Sequence, residues 1–215
     1  MSEITVYDLS VIGKELGVPE KEVIPPFPNA KPMMQQDWTD EYVFKLIDYF
    51  KENIKPKGGK VSLLGHLEMW VILAISKAIQ PECEPYFCVP THDENNTMAN
   101  MPIYDTQFGD PAPGYTLEIK TEEKGDYLFV DYRLKEDAPW EDLIANLGPN
   151  LVVPALPEGK NLCLAGEGHY PLQWVVMNAY ARGCNSMFSN DHGSPNYRCS
   201  YSVDPAIKVG DTYNK

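Results

Sequence analysis

The chain has 215 residues, 43% of them hydrophobic and 23% charged, and carries a net charge of −13. That length suits one large domain or two small ones, and the charge opposes docking on long DNA or RNA, whose phosphates would be repelled. No stretch reaches the length of a membrane span, and MSEITVYDLS lacks the basic and apolar regions of a signal peptide, so no membrane partner is expected.

In chain order, residues 18–37 are proline-rich and extended, and DEYVFKLIDYFKENI (40–54) has the three-to-four apolar spacing of an amphipathic helix. KVSLLG (60–65) reads as a strand, and the helix predicted over 67–79 is apolar nearly all round and should be buried. PYFCVPTHD (85–93) is a second strand; 94–114 reads as a loop interrupted at Tyr104-Asp105. TLEIKTEEKGDYLFVDYRL (116–134) alternates polar and apolar residues around EEKG, the pattern of a β-hairpin. A short helix is expected over 139–147 and a strand over 160–165. A helix then runs from about Pro171 to Gly183, its proline in the first turn. Strands at SMFSNDH (186–192) and 196–203 follow, and VGDTY closes the chain's last unit.

The order of landmarks repeats. Trp38-Thr39-Asp40 has its counterpart in Trp140-Glu141-Asp142, Gly59-Lys60 in Gly159-Lys160, His66 in His169, and Trp70 in Trp174. His92-Asp93 answers Asp191-His192, and Phe108-Gly109-Asp110 answers Val209-Gly210-Asp211. All four tryptophans and all four histidines thus pair in sequence order, which reads as two copies of one domain, 1–110 and 111–215. Mixed strands and helices in each copy suggest an α+β fold of two tandem ferredoxin-like two-layer units, forming a pseudo-dimer. The five cysteines are odd in number and lack CxxC spacing, so free thiols and a cytoplasmic location are expected.

Each copy carries a glycine-flanked strand-to-helix corner bearing a histidine. Such a corner offers unpaired amides and the positive end of the helix dipole, where a small anion can sit. His66 and His169 can donate to a phosphate or serve as acid or base; equally, they can cap the helix. His92-Asp93 and Asp191-His192 lie at strand ends in polar loops, where carboxylate and imidazole can bind a divalent ion or transfer a proton. Asp191, His192 and Asp93 are the metal candidates; solvated turn chemistry is the alternative. Tyr170 is a candidate for stacking on a base, or for the core.

The second copy, DYLFVDYRL through AGEGHYPLQW to KVGD, resembles the small CRISPR-associated ring-nuclease and manganese-dependent RNA-exonuclease family over roughly 116–213. Gly166, Gly168, Pro171 and Trp174 are similar to its G-x-G-x-P-x-W helix start, with stretched spacing, and Asp191 matches the Asp after the next strand. The resemblance implies a ferredoxin-like fold, RNA chemistry assisted by a divalent cation such as manganese, and binding of cyclic tetra-adenylate between subunits. The chain has Ser202-Val203 where the family has Ser-His, and Gly193 where it has an arginine; His192 and Arg198 stand nearby. The expected function is binding, with or without cleavage, of a cyclic or short oligonucleotide signal of the antiviral-defence type, in a pocket between the repeats. His169, Asp191 and His192 would be catalytic. His66, Gly166, Gly168, Tyr170, His92 and Arg198 would bind the ligand. A non-catalytic sequestering module and a structural scaffold are the alternatives, and homo-oligomerisation is left open.

Overall fold

The computed structural model describes residues 3–25, 30–65, 67–91, 97–103, 107–109, 117–134, 152–167, 170–190 and 196–214. The helix expected over 139–147 lies outside them. In chain order the first half gives β1 (Ile4–Asp8), α1 (Leu9–Glu15), β2 (Glu20–Val23), β3 (Met33–Gln36) and α2 (Asp40–Tyr49). It continues with β4 (Gly59–Leu64), α3 (Met69–Ile79), β5 (Cys83–Pro90), β6 (Met98–Pro102) and β7 (Gln107–Phe108). The second half gives β8 (Leu117–Lys124), β9 (Tyr127–Leu134), β10 (Val152–Val153), β11 (Asn161–Glu167), α4 (Tyr170–Tyr180), β12 (Ser186–Asn190), β13 (Asn196–Ser202) and β14 (Thr212–Asn214). No helix of the described residues is long and apolar enough to cross a membrane.

The helix over 40–54 forms as its spacing predicts. Val43, Leu46 and Ile47 are buried, and Asp40 and Glu41 sit in the first turn, where they complement the dipole. Its last turn widens to a π-helix over Phe50–Ile54, which turns Phe50 and Ile54 into the core. The extended segment 18–37 proves to hold the antiparallel pair β2–β3, and MANMP within the expected loop is β6, antiparallel to β5.

Two main sheets result. One has the order β1-β4-β5-β6, with β1, β4 and β5 parallel and β6 antiparallel. The other has the order β14-β13-β12-β11-β9-β8, in which β9, β11 and β12 are parallel and β13 is antiparallel. The run β9-β11-β12-β13 therefore repeats the pattern of β1-β4-β5-β6, with α3 and α4 each preceding the third strand. This mixed α+β architecture differs from the expected ferredoxin-like units. There a further strand splits each parallel pair, whereas here the parallel strands are direct neighbours.

The helices explain why two-layer units do not form. Nine of the eleven residues of α3 are buried, as are all residues of α4 after Tyr170. A helix apolar on every side needs cover on both sides. It comes from both halves: α3 packs against β5 of its own sheet and against α4, β12 and β13 of the second half. One buried cluster accordingly joins Leu63, Phe87 and Met101 to Trp174, Leu164 and Met187. Two polar side chains inside this layer donate within their own helices, while the Asn178 Oδ1 is buried without a partner among the described residues. Ser76 Oγ donates to the Ile72 carbonyl at 2.8 Å, and Asn178 Nδ2 donates to the Trp174 carbonyl at 2.8 Å.

The tryptophans reach across reciprocally. Trp174 Nε1 donates to the Pro102 carbonyl of β6 at 3.0 Å, while the Trp70 ring lies 5.1 Å from the Arg198 guanidinium on β13. A second, smaller cluster covers the far face of the larger sheet: Phe129, Cys163, Phe188, Tyr197 and Cys199, with Tyr127 and Tyr213 at its margin.

All five cysteines are free and buried, Cys88 on β5 and Cys163 on β11. Burial pushes the thiols of Cys163, Cys184 and Cys199 up to about 12. The reactive thiolate is therefore scarce at neutral pH. In the folded protein at pH 8, iodoacetamide is expected to leave these three unmodified, while urea exposes all five. Mass spectrometry showing their rapid native alkylation, or a disulfide, would contradict this packing.

Candidate functional site

In an open α/β sheet the carboxyl ends of parallel strands leave a crevice, because the chain departs there into loops and helices. A cleft of about 700 Å³ lies at this edge of the first sheet. Asp8 at the end of β1, Leu64-Gly65 at the end of β4 and Cys88-Val89-Pro90 at the end of β5 form its base. Ser10 and Lys14 of α1, Met33, Met34 and Gln36 of β3, and Trp38 form one wall; Tyr170, the first residue of α4, comes from the second half.

Local interactions fix these walls. Asp8 caps α1, accepting from Ser10 N at 2.8 Å and Ser10 Oγ at 2.6 Å. The Ser10 hydroxyl holds the Asp8 carboxyl below its ordinary value, with the backbone and Lys14 acting in the same direction. Gln36 Nε2 donates to the Ser10 carbonyl at 2.8 Å, tying β3 to α1. Trp38 presses so closely on α1 that a Cβ at Gly13 would lie 2.7 Å from its ring. Phe87 at the base meets Tyr170 edge-on at 6.4 Å and Trp174 at 5.8 Å. Burial, and then the charge of Glu68, raise the Tyr170 phenol, so it is a hydrogen-bond donor at neutral pH.

The corresponding edge of the second sheet holds a much smaller polar crevice, about 20 Å³. Tyr132, Gly166, Ser189 and Asn190 line it, with Gln173 of α4 and with Glu68 from the other half. Each half thus contributes helix-start residues to the crevice of the other. The two crevices differ because the ends of β1, β4 and β5 leave an open space, whereas the Tyr132 ring fills the equivalent space.

Of the residues singled out from the sequence, His66, His92, Asp93, Gly168, His169, Asp191 and His192 lie outside the described residues. Tyr170 lines the large cleft. Gly166 lines the small one and stands opposite Tyr132 in the β9–β11 ladder. A Cβ there would come within 2.4 Å of the Tyr132 ring, so packing alone demands the glycine. Arg198 pairs with Asp40 at the start of α2, donates to Thr212 Oγ1 at 3.0 Å and lies against Trp70. Its guanidinium clamps the second sheet to the helices of the first half. Among the described residues no group of three histidine, cysteine or acidic side chains is placed to hold a metal ion.

Asp8, Ser10, Met33, Met34 and Phe87 were not legible as site residues. Phe87 reads as core from its strand, and the others gain significance only once β1, β4 and β5 are neighbours. The one local signal was the D-x-S turn that leads β1 into α1, a capping pattern at a strand's carboxyl end. Comparison of the chain with protein-family models, with curated proteins and with solved structures finds no match.

Proposed function

We propose that the protein is a binding module for a small nucleotide-type ligand, whose base enters the cleft between β1, β4, β5 and Tyr170. The observation that carries this reading is the lining itself. Trp38, Phe87 and Tyr170 offer flat or edge-on aromatic surface, and the two methionines of β3 give an adaptable wall. The cleft falls within the ordinary size range of small-molecule sites.

Charge orients the ligand. Among the described lining residues Lys14 is the only cation, against Asp8 and Glu20. Phosphates therefore belong at the mouth and the base inside. On this reading the two halves, 1–110 and 111–215, are copies of one unit in a pseudo-dimer. The ring-nuclease resemblance supplies adenine as the base and cyclic tetra-adenylate as the fullest ligand to try. Sequestration of such a signal follows from binding alone; a cleavage step would fall to His169, Asp191 and His192, with any manganese at Asp191, His192 or Asp93, outside the described residues.

Equilibrium titration with adenosine 5′-monophosphate and cyclic tetra-adenylate tests the reading. Base–aromatic stacking is worth about 1–3 kcal/mol by alanine substitution, so Tyr170→Ala should weaken binding between about fivefold and a hundredfold. Product analysis of the same mixtures separates holding from cutting. No binding of either nucleotide, or binding indifferent to Tyr170→Ala, would overturn the assignment.

A further inference from the structure

The repeated topology exposes a difference between the halves at one sheet edge. In the second half β9 is covered on its outer side by β8, in an antiparallel ladder from Leu117↔Leu134 to Lys124↔Tyr127. Its counterpart β1 pairs with β4 on one side, and among the described residues no strand lies on the other. Thr5 and Val6 are exposed, Val6 at 46%.

Sheet edges are ordinarily blunted by charge, proline or shortness, because their unpaired amides and carbonyls invite another strand. The other outer edges of the two main sheets show these devices. β8 (LEIKTEEK) is rich in lysine and glutamate, β6 ends in Pro102, and β14 spans three residues. β1 (ITVYD) shows none of them before its last residue, and Ile, Thr, Val and Tyr all favour extended backbone.

We propose that β1 pairs antiparallel with β1 of a second copy, joining the two four-stranded sheets into one. The strand is self-complementary. Centred on Val6, the pairing sets Val6 against Val6, Thr5 against Tyr7, and Ile4 against Asp8, so no like charges stand directly opposite. A foreign peptide would need side-chain pockets beside the edge for its selection, and the large cleft touches β1 only at Asp8. A self-pair needs only register. The inference is independent of the nucleotide reading.

Sedimentation velocity over a hundredfold range of protein concentration tests it. The weight-average mass should rise from one chain towards two, and more readily at high salt, because each copy carries a charge of −13. Val6→Lys, at an exposed position, should weaken association about fivefold or more by opposing two lysines. Hydrogen exchange on the unmodified chain gives a second readout: amides of residues 4–8 should gain protection as concentration rises. A chain that stays monomeric throughout would overturn the proposal. So would an association that Val6→Lys leaves unweakened or that leaves β1 unprotected.

Discussion

Replacing Trp174 with alanine is expected to cost about 3–5 kcal/mol, the usual result of emptying a large aromatic site in a core. Trp174 is fully buried, packs on Phe87, and its indole N–H satisfies the Pro102 carbonyl of the other half. Truncation therefore leaves both a cavity and an orphaned acceptor at the joint between the two sheets. For a chain of this size the loss corresponds to a fall in Tm of roughly 6–20 °C. Because α3 and α4 are each covered by both halves, melting should remain a single transition. A loss below about 1 kcal/mol, or two separated transitions, would show that the halves do not share one core.

A second large effect is expected at Gly166. Alanine there places a Cβ against the face of Tyr132, which is 4% exposed and held by the β9–β11 ladder. Overpacking of this kind typically costs about 1–3 kcal/mol. Gly166 lies outside the large cleft, so nucleotide affinity measured well below Tm should be unchanged. Chemical denaturation with Gly166→Ala checks the first expectation and titration the second. Undiminished stability with lost affinity would return Gly166 to the ligand site.

The mixed α+β character of the chain is legible in its sequence. The repeated order of Trp70 and Trp174, and of the strands flanking them, corresponds to two sheets with the same run of parallel and antiparallel neighbours. The all-round apolarity of 67–79 also announced a buried helix. Such a helix needs cover on both sides, which an open two-layer unit does not supply. MANMP carries no strand signal because it shows no clean alternation and ends in proline, a residue confined to sheet edges, which is where β6 lies. The site was less legible. Its walls come from residues as distant as Asp8 and Tyr170, and their meeting is a property of strand order. The histidine motifs mark the loops after β4, β5, β11 and β12, and their histidines lie outside the described residues. The described cleft at the ends of β4 and β5 is instead lined by Asp8, Ser10, Lys14 and Gln36 beside its apolar side chains.

Where a nucleotide binds decides most directly whether the cleft is its site. Chemical-shift mapping of the isotopically labelled full chain during titration with adenosine 5′-monophosphate would report it. With the base in this cleft, the Trp38 indole, Ser10, Phe87, Val89 and Tyr170 should shift together and saturably, while Tyr127 and Tyr213 on the far face of the second sheet stay fixed. Shifts centred on that far face, or none at saturating nucleotide, would contradict this placement.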